Sequence, residues 1–171
     1  LTYSGAAISL GAYTLTMSGE GAFSNSNALV LNNASSKLQL SGSITVDNVS
    51  TSANSLGLDV NADSTVSNLT VGHTTPVSIA TGKSLSGAIT VTAGSLKLNE
   101  AGTLASTIAM GGGTLDADET STISGAITQT ADIVIDVATG KTLTYSGAAL
   151  NLGAKTLSLS GGGTLGNTNA F

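Results

Sequence analysis

The densest group of acidic side chains in this sequence is Asp116, Asp118 and Glu119, and Asp136 follows twenty residues after Asp116. Carboxylate oxygens are the ligands that Ca²⁺ takes in proteins. However, Lys97 lies nineteen residues before Asp116, and its ammonium group competes for the same carboxylates. The glycine-rich nonapeptide pattern of calcium-binding coiled strands is absent. We therefore expect a solvated acidic edge and no metal site, with weak calcium binding near Asp116 and Asp136 as an open alternative.

Residues for catalysis are scarce. His73 is the only histidine, and it lies in a loop-like segment near the only proline, Pro76. A catalytic histidine needs an activated nucleophile or an orienting carboxylate, and the flanking sequence offers neither. A cleft for cleaving polysaccharides needs paired acids, basic groups and aromatic platforms, but the chain has no Arg, no Trp and three Tyr. We predict no catalytic residue, no cofactor and no enzymatic activity, and a carbohydrate-active enzyme is the weakest alternative.

Hydroxyl side chains form a subtler pattern, because pairs of them flank single apolar residues. The pairs are Thr65-x-Ser67, Ser84-x-Ser86, Thr122-x-Ser124 and Thr142-x-Thr144. On a strand, both hydroxyls of a pair face outward, and ranked threonines on a flat sheet resemble those of ice-binding solenoids. Ala105, Asp47 and Gly166 interrupt the ranks, and Thr and Ser also suit strands in general. Ice or surface binding is therefore an alternative and not the main prediction.

Three segments match the N-glycosylation acceptor pattern: Asn33-Ala34-Ser35, Asn48-Val49-Ser50 and Asn68-Leu69-Thr70. Matches of this kind arise by chance in a chain so rich in Asn, Ser and Thr. We therefore expect no glycan at these positions.

Composition excludes several classes of protein. The formal net charge is −5, charged residues are 9 % of the chain, and cysteine is absent. Without a basic stripe, binding to nucleic acid is not expected, and the excess of carboxylates disfavours an anionic membrane surface. No apolar run approaches the roughly 18 residues of a membrane-spanning helix. The absence of cysteine excludes disulfides and thiolate metal sites.

A long internal repeat organises the chain. Residues 1–28 return as residues 143–170, at an offset of 142 residues and with 18 of 28 positions identical. Tyr3 and Tyr145 occupy the same place in the two copies, which favours a structural role for both. We expect one long repeat over residues 15–156, the start of the next copy at residues 157–171, and a longer parent array of which residues 1–171 are a single segment.

A shorter repeat lies inside the long one. Its first column of apolar residues is Leu15, Leu38, Leu58, Val77, Leu96, Leu115, Ile135 and Leu157. Two residues later comes a second column: Met17, Leu40, Val60, Ile79, Leu98, Ala117, Val137 and Leu159. Eight residues after the first column comes a third: Phe23, Val46, Val66, Leu85, Leu104, Ile123, Leu143 and Leu165. The resulting units of 19 to 23 residues are typical of solenoid coils.

Each unit predicts strands and no helix. Apolar residues alternate, as in Leu96-x-Leu98, which is the period of a strand. Turn residues separate the alternating pairs, as in Ala80-Thr81-Gly82-Lys83. Since parallel crossovers are almost always right-handed, we predict an all-β, right-handed parallel β-solenoid (β-helix) of about eight coils, with three short strands in each coil.

Several short sequence segments are typical of bacterial surface fibres. Among them are Gly94-Ser95-Leu96-Lys97-Leu98, Gly111-Gly112-Gly113-Thr114-Leu115 and Lys141-Thr142-Leu143. In these segments, the chain resembles the strand repeats of autotransporter passengers and of filamentous-haemagglutinin-type adhesins. The resemblance implies a β-helix in a protein that is secreted by, or attached to the surface of, a bacterium.

We therefore expect a structural function, as the shaft of a secreted or cell-surface fibre or adhesin built from tandem repeats. The expected partners are neighbouring repeats of the same chain and identical fibres, laterally or end to end, with no nucleic acid and no membrane insertion. Residues 24–37 and 144–156 are expected to form long corner loops that recur once in each long repeat and offer contacts between shafts.

Overall fold

The computed structural model describes residues 1–150 and 152–169, and strands are the only regular elements found there. These residues therefore include no helix of the length and apolarity that a membrane span needs. The strands, in chain order, are β1 (Thr2–Tyr3), β2 (Ile8–Ser9), β3 (Thr14–Met17), β4 (Gly21–Asn25), β5 (Leu29–Leu31), β6 (Lys37–Leu40), β7 (Ile44–Thr51), β8 (Gly57–Val60), β9 (Ser64–Val71), β10 (Thr75–Ile79), β11 (Ser84–Val91), β12 (Ser95–Leu98), β13 (Thr103–Leu104), β14 (Thr107–Met110), β15 (Thr114–Ala117), β16 (Ser121–Ile123), β17 (Ile127–Gln129), β18 (Ile133–Val137), β19 (Thr142–Tyr145), β20 (Leu157–Gly161) and β21 (Thr164–Asn167).

The strands stack as a β-solenoid, which confirms the predicted fold. One sheet has eight strands in the order β20-β18-β15-β12-β10-β8-β6-β3, and a second sheet of thirteen strands covers the rest of each coil. All the strand pairings are parallel. Each strand of the eight-stranded sheet begins one coil, so coils 1 to 8 begin with β3, β6, β8, β10, β12, β15, β18 and β20. The right-handed sense of the coiling stays a prediction from the crossover rule.

The division of each coil into three short strands holds only in part. Coils 1, 5 and 6 have three separate strands, but in coils 2, 3 and 4 the second and third merge into the eight-residue strands β7, β9 and β11. Between β9 and β11 the register shifts at Gly87/Ala88, which is a bulge of the kind that lets a strand bend without ending. In the described part of coil 7, no third strand follows β19.

The apolar columns predicted from the sequence are correct except at some of the steps into or out of coils 4 and 7. Leu15, Leu38, Leu58 and Val77 are neighbours in the eight-stranded sheet. Val77, however, pairs with Leu98 instead of the predicted Leu96. In the first and third columns, the other misplaced steps are Ile135, which pairs with Leu159 and not Leu157; Val66, which pairs with Gly87 and not Leu85; and Ile123, which pairs with Tyr145 and not Leu143. The second column shifts together with the first, so that Val137 pairs with Gly161 and not Leu159.

Two matching turns cause all of these errors. Residues 80–83 and 138–141 both read Ala-Thr-Gly-Lys, and in each the lysine N–H donates to the alanine carbonyl at 2.9 Å. Their glycines have φ near 75° (74° and 75°), as the third residue of a type II turn requires. These turns lengthen one corner of coils 4 and 7: eight residues separate Leu58 from Val66, but ten separate their partners Val77 and Gly87.

The core is a set of aliphatic files that run along the solenoid. Most inward side chains of the inner coils are buried; six that are at most 3 % exposed are Leu38, Leu58, Val77, Leu96, Leu115 and Ile135. In the end coils the same positions are open, so that Leu15 and Leu157 are only half-buried and Leu159 is 61 % exposed. Burial in this fold therefore depends on having a coil on both sides.

The two predicted corner loops have different structures. Residues 24–37 are not one loop, because they contain β5, whose Leu29 and Leu31 are fully buried and which pairs with β2 and β7. Residues 144–156 have no strand after Tyr145 among the described positions, and Asn151 lies outside the described residues. Only the second segment therefore resembles the loop that was predicted.

Candidate functional site

The acidic cluster lies on the outward face of the eight-stranded sheet, where three consecutive coils bring its members together. Lys97 pairs with Asp116 and Asp116 pairs with Asp136, as the sequence predicted. Lys97 Nζ lies 3.0 Å from Asp116 Oδ2 and 2.9 Å from Asp118 Oδ2. We call these four residues the Lys97 cluster.

Burial dominates the electrostatics of the Lys97 cluster. It raises the pKa of Asp116 above its usual value, although the hydrogen bond and charge of Lys97 oppose the shift. Asp118 and Asp136 add to the rise because they are like charges. The pKa of Lys97 is also raised, because its ammonium group donates hydrogen bonds to Asp118 and Asp116. Asp116 Oδ1 is buried without a hydrogen-bond partner, so half of this carboxylate is desolvated without compensation.

This arrangement predicts an unusual dependence of stability on pH. A carboxyl whose pKa is higher in the folded than in the unfolded protein binds more protons when folded, so acidification through the folded pKa favours the folded state at this site. We expect wild type to gain stability relative to Asp116→Asn as the pH falls from about 7 to about 4. Urea unfolding of both proteins at several pH values measures this difference, and parallel curves would contradict it.

Calcium binding finds little support in this geometry. Within residues 1–150 and 152–169, His, Cys, Asp and Glu side chains form no group of three or more with the geometry to hold a metal ion. Lys97 already takes the place between Asp116 and Asp118 that a cation would need. The absence of a metal site stays a prediction.

Two further ion pairs join neighbouring coils in the same way. Lys37 Nζ lies 2.7 Å from Asp59 Oδ2, and Lys141 Nζ lies 2.5 Å from Glu119 Oε2. Every one of these partners is about one coil away in sequence. The ion pairs therefore add cross-links between coils, each worth at most about 1 kcal/mol at such a surface.

His73 and Tyr145 occupy positions that suit structural roles. The His73 side chain is exposed, and its carbonyl accepts a hydrogen bond from Thr75 Oγ1 at 3.0 Å. Tyr145 is 3 % exposed; its hydroxyl donates to the Ala148 carbonyl and accepts from the Ile127 N–H at 3.2 Å. Tyr145 thus ties the loop of coil 7 to coil 6, as the structural prediction for this repeated position requires.

The hydroxyl ranks are present, but with other members than the sequence predicted. Ser84, Thr103, Thr122 and Thr144 form one file, which ends at Gly166. Thr65 lies in another file, where its Oγ1 is 2.8 Å from the Ser86 hydroxyl. The first file is half-buried throughout. A surface of four partly covered hydroxyls is short for binding ice or a mineral, so this geometry disfavours the ice-binding alternative.

A stack of asparagines was missed by the sequence analysis. Asn25 Nδ2 donates to the Asn48 carbonyl at 2.7 Å, the Asn48 N–H donates to Asn25 Oδ1 at 3.2 Å, and Asn68 Nδ2 donates to Asn48 Oδ1 at 3.3 Å. The spacings of 23 and 20 residues match those of the coils, which is the signal that was available. Asn48 and Asn68, whose glycosylation patterns are expected to arise by chance, lie inside the long strands β7 and β9 and bridge the coils there. Asn33 instead accepts the Ser35 N–H within its own turn.

Two hollows on the surface have few charged side chains with which to bind or convert a substrate. One of about 390 Å³ lies between β17 and the loop of coil 7, and Lys155 is its only charged lining residue. Another, of about 580 Å³, is the open end beneath coil 1, with Glu20 as its only charged residue. Neither brings together two carboxylates for acid and base catalysis.

Comparison with protein-family models, with curated proteins and with solved structures found no match to this chain. The fold and the site geometry are therefore the basis of the functional argument.

Proposed function

We propose that this chain forms part of the shaft of a secreted or cell-surface fibre, which holds adhesive contacts at a distance from the cell. One observation carries the proposal: the eight-stranded sheet runs without a break through all eight coils, with one strand from each. At about 4.8 Å for each coil, seven steps extend the stack by roughly 34 Å. Further coils lengthen such a rod without a new design.

The contacts between coils suit a load-bearing role. The backbone of each coil pairs with the next in both sheets, and the ion pairs found among the described residues all link successive coils. The asparagine stack adds side-chain hydrogen bonds between β4, β7 and β9. A pull on the chain must break these groups of bonds one coil at a time.

The resemblance to autotransporter passengers and filamentous-haemagglutinin-type adhesins supports an extracellular, bacterial setting for this shaft. In that setting the partners are neighbouring repeats and identical fibres. A low content of charge, 9 % of residues, suits a surface with a mechanical role and no specific chemistry. The alternative of an ice- or surface-binding solenoid depends on the short hydroxyl file and is the less favoured of the two.

Stretching single molecules held at their two termini tests the shaft. We expect a series of force peaks, each adding roughly 65–70 Å of length, because one coil of about twenty residues extends at about 3.5 Å for each residue. Extension without force peaks would contradict the proposal. Thermal hysteresis of freezing in the purified protein would instead favour the ice-binding alternative.

A further inference from the structure

The third strand of coil 6, β17, has a neighbouring strand on one side only. It pairs with β14 of coil 5, and among the described residues no strand of coil 7 pairs with its other edge. Coil 7 is itself stacked on both sides, because its strands β18 and β19 pair with strands of coil 6 and of coil 8. The unpaired edge of β17 therefore lies inside the stack, between coils 6 and 7.

The pairing with β14 shows which backbone groups of β17 remain for a further strand. The Thr130 N–H donates to the Met110 carbonyl of β14 at 2.9 Å, so the even-numbered residues here bond toward coil 5. Since alternate residues of a parallel strand bond to opposite neighbours, Ile127 and Gln129 direct their N–H and carbonyl groups toward coil 7. The Ile127 N–H bonds to the Tyr145 hydroxyl at 3.2 Å. The Ile127 carbonyl and both backbone groups of Gln129 are thus available to an added strand.

The side chain of Gln129 also needs a hydrogen-bond partner. Its Oε1 and Nε2 are both buried, and neither has one. Gln129 continues the inward file of Val91 and Met110, and Met110 on the coil 5 side presents a fully buried apolar side chain. Because a buried amide without partners is destabilising, this group favours an occupant that bonds to it from the side of coil 7.

A hollow lies where a strand of coil 7 beside β17 would be expected. Its volume is about 390 Å³, and its lining includes all three residues of β17 together with Ala149 and Leu152 from the loop of coil 7. Ligand sites in proteins commonly have volumes of about 300–1,000 Å³. The open strand edge and the unpaired amide therefore face a space large enough for a short ligand.

One cation lies beside this hollow. Lys155 is the only charged residue of its lining, its side chain is exposed, and it belongs to none of the ion pairs among the described residues. The next residue, Thr156, donates its N–H to Asp132 Oδ1 at 2.8 Å, and Asp132 follows Gln129 by three residues. Lys155 therefore lies toward the end of the hollow to which β17 runs.

We propose that this gap binds an extended peptide segment of a partner protein, which adds a strand in parallel beside β17. A peptide backbone supplies the alternating N–H and carbonyl groups that the edge requires, and strand addition is a general mode of peptide recognition. The Gln129 amide favours a hydroxyl or amide side chain at the inward position above it, and Lys155 favours a carboxylate two residues further on. The site belongs to coils 6 and 7 and goes beyond the proposed shaft function.

Fluorescence anisotropy of a labelled pentapeptide, Ile-Thr-Ser-Thr-Asp with an amidated C-terminus, tests the proposal. When its isoleucine lies beside Ile127, its serine lies beside Gln129 and its aspartate extends toward Lys155. We expect saturable binding with a Kd of about 1 mM or tighter. Absence of saturation at peptide concentrations of several millimolar would overturn the proposal.

Two N-methylated forms of this peptide test the backbone pairing. In a parallel pair, the N–H of the second peptide residue donates to the Ile127 carbonyl, whereas the N–H of the third residue points away from β17. Methylation of the second N–H is expected to weaken binding by roughly tenfold or more, and methylation of the third by less than about threefold. Equal losses from the two methyl groups would rule out strand addition.

Protein variants test the two side chains. Gln129→Leu is expected to weaken binding by roughly fivefold or more, and it should fold as well as wild type because it removes a buried unpaired amide. Gln39→Leu makes the same change in β6, on the eight-stranded sheet, and should change binding by less than about twofold. Lys155→Gln should weaken binding of the pentapeptide but not of its form with asparagine in place of aspartate. Equal effects of the two glutamine substitutions, or of the two peptides on Lys155→Gln, would contradict the site.

Discussion

Replacing Leu96 with alanine is expected to lower the free energy of unfolding by about 2–5 kcal/mol, as removal of a fully buried leucine does in a close-packed core. Leu96 is 0 % exposed and lies between Thr75 and Leu115 in the files of the eight-stranded sheet. The lost methyl groups leave a cavity that rigid strands on both sides cannot close. Urea unfolding followed by circular dichroism measures the change.

The same file contains its own control. Leu159 continues the file beyond Leu115 and Ile135, but it is 61 % exposed because no coil covers it. Leu159→Ala is expected to change the free energy of unfolding by about 0.5 kcal/mol or less at low protein concentration. Equal losses at Leu96 and Leu159 would show that burial does not follow the stacking of coils.

Gly87→Ala is the second substitution with a large expected effect, about 3–5 kcal/mol of lost stability in total. Gly87 has φ of 118°, where side chains are strained, and a Cβ built there lies 1.8 Å from the Val66 carbonyl oxygen. Relief of this contact requires β11 to move away from β9 at the bulge. The expected result is a lower midpoint in thermal and urea unfolding.

Gly82→Ala separates the two causes of that loss. Gly82 also has positive φ, 74°, but a Cβ at this position has nothing within 4 Å. It should cost only the backbone strain, about 1–2 kcal/mol. If Gly82→Ala is as damaging as Gly87→Ala, strain alone explains both, and the close approach of the two strands at the bulge is not important for stability.

The sequence predicted the Lys97 cluster well because neither inserted turn lies between its members along the chain. The spacings of nineteen and twenty residues between Lys97, Asp116 and Asp136 equal the structural spacings of those coils. Their electrostatics could not be predicted in the same way. The raised pKa of Asp116 comes first from burial, which depends on how closely the outward side chains of adjacent coils pack.

The hydroxyl files and the asparagine stack also combine features that the sequence predicts with features that only the structure reveals. The predicted third column places Ile123 beside Leu143 and therefore Thr122 beside Thr142. Thr122 instead pairs with Thr144, because the turn at residues 138–141 adds two residues to that coil. The asparagines lie in coils 1 to 3, before either turn, and their spacing was readable. Their role was missed because an Asn-x-Ser/Thr pattern has a chemical meaning as well as a structural one.

By itself, the amino-acid sequence determined that this chain is a stack of short parallel strands, and which side chains face inward. Alternation with a period of two decides the face of every residue, and the recurrence near twenty residues decides the stacking. The tertiary structure alone decided which residues are neighbours at the steps beside coils 4 and 7, which strands of a coil merge into one, and which leucines are covered. A shift of two residues leaves every side chain on the same face of its strand, so the hydrophobic pattern is the same in either register. Only the geometry of the Ala-Thr-Gly-Lys turns selects one.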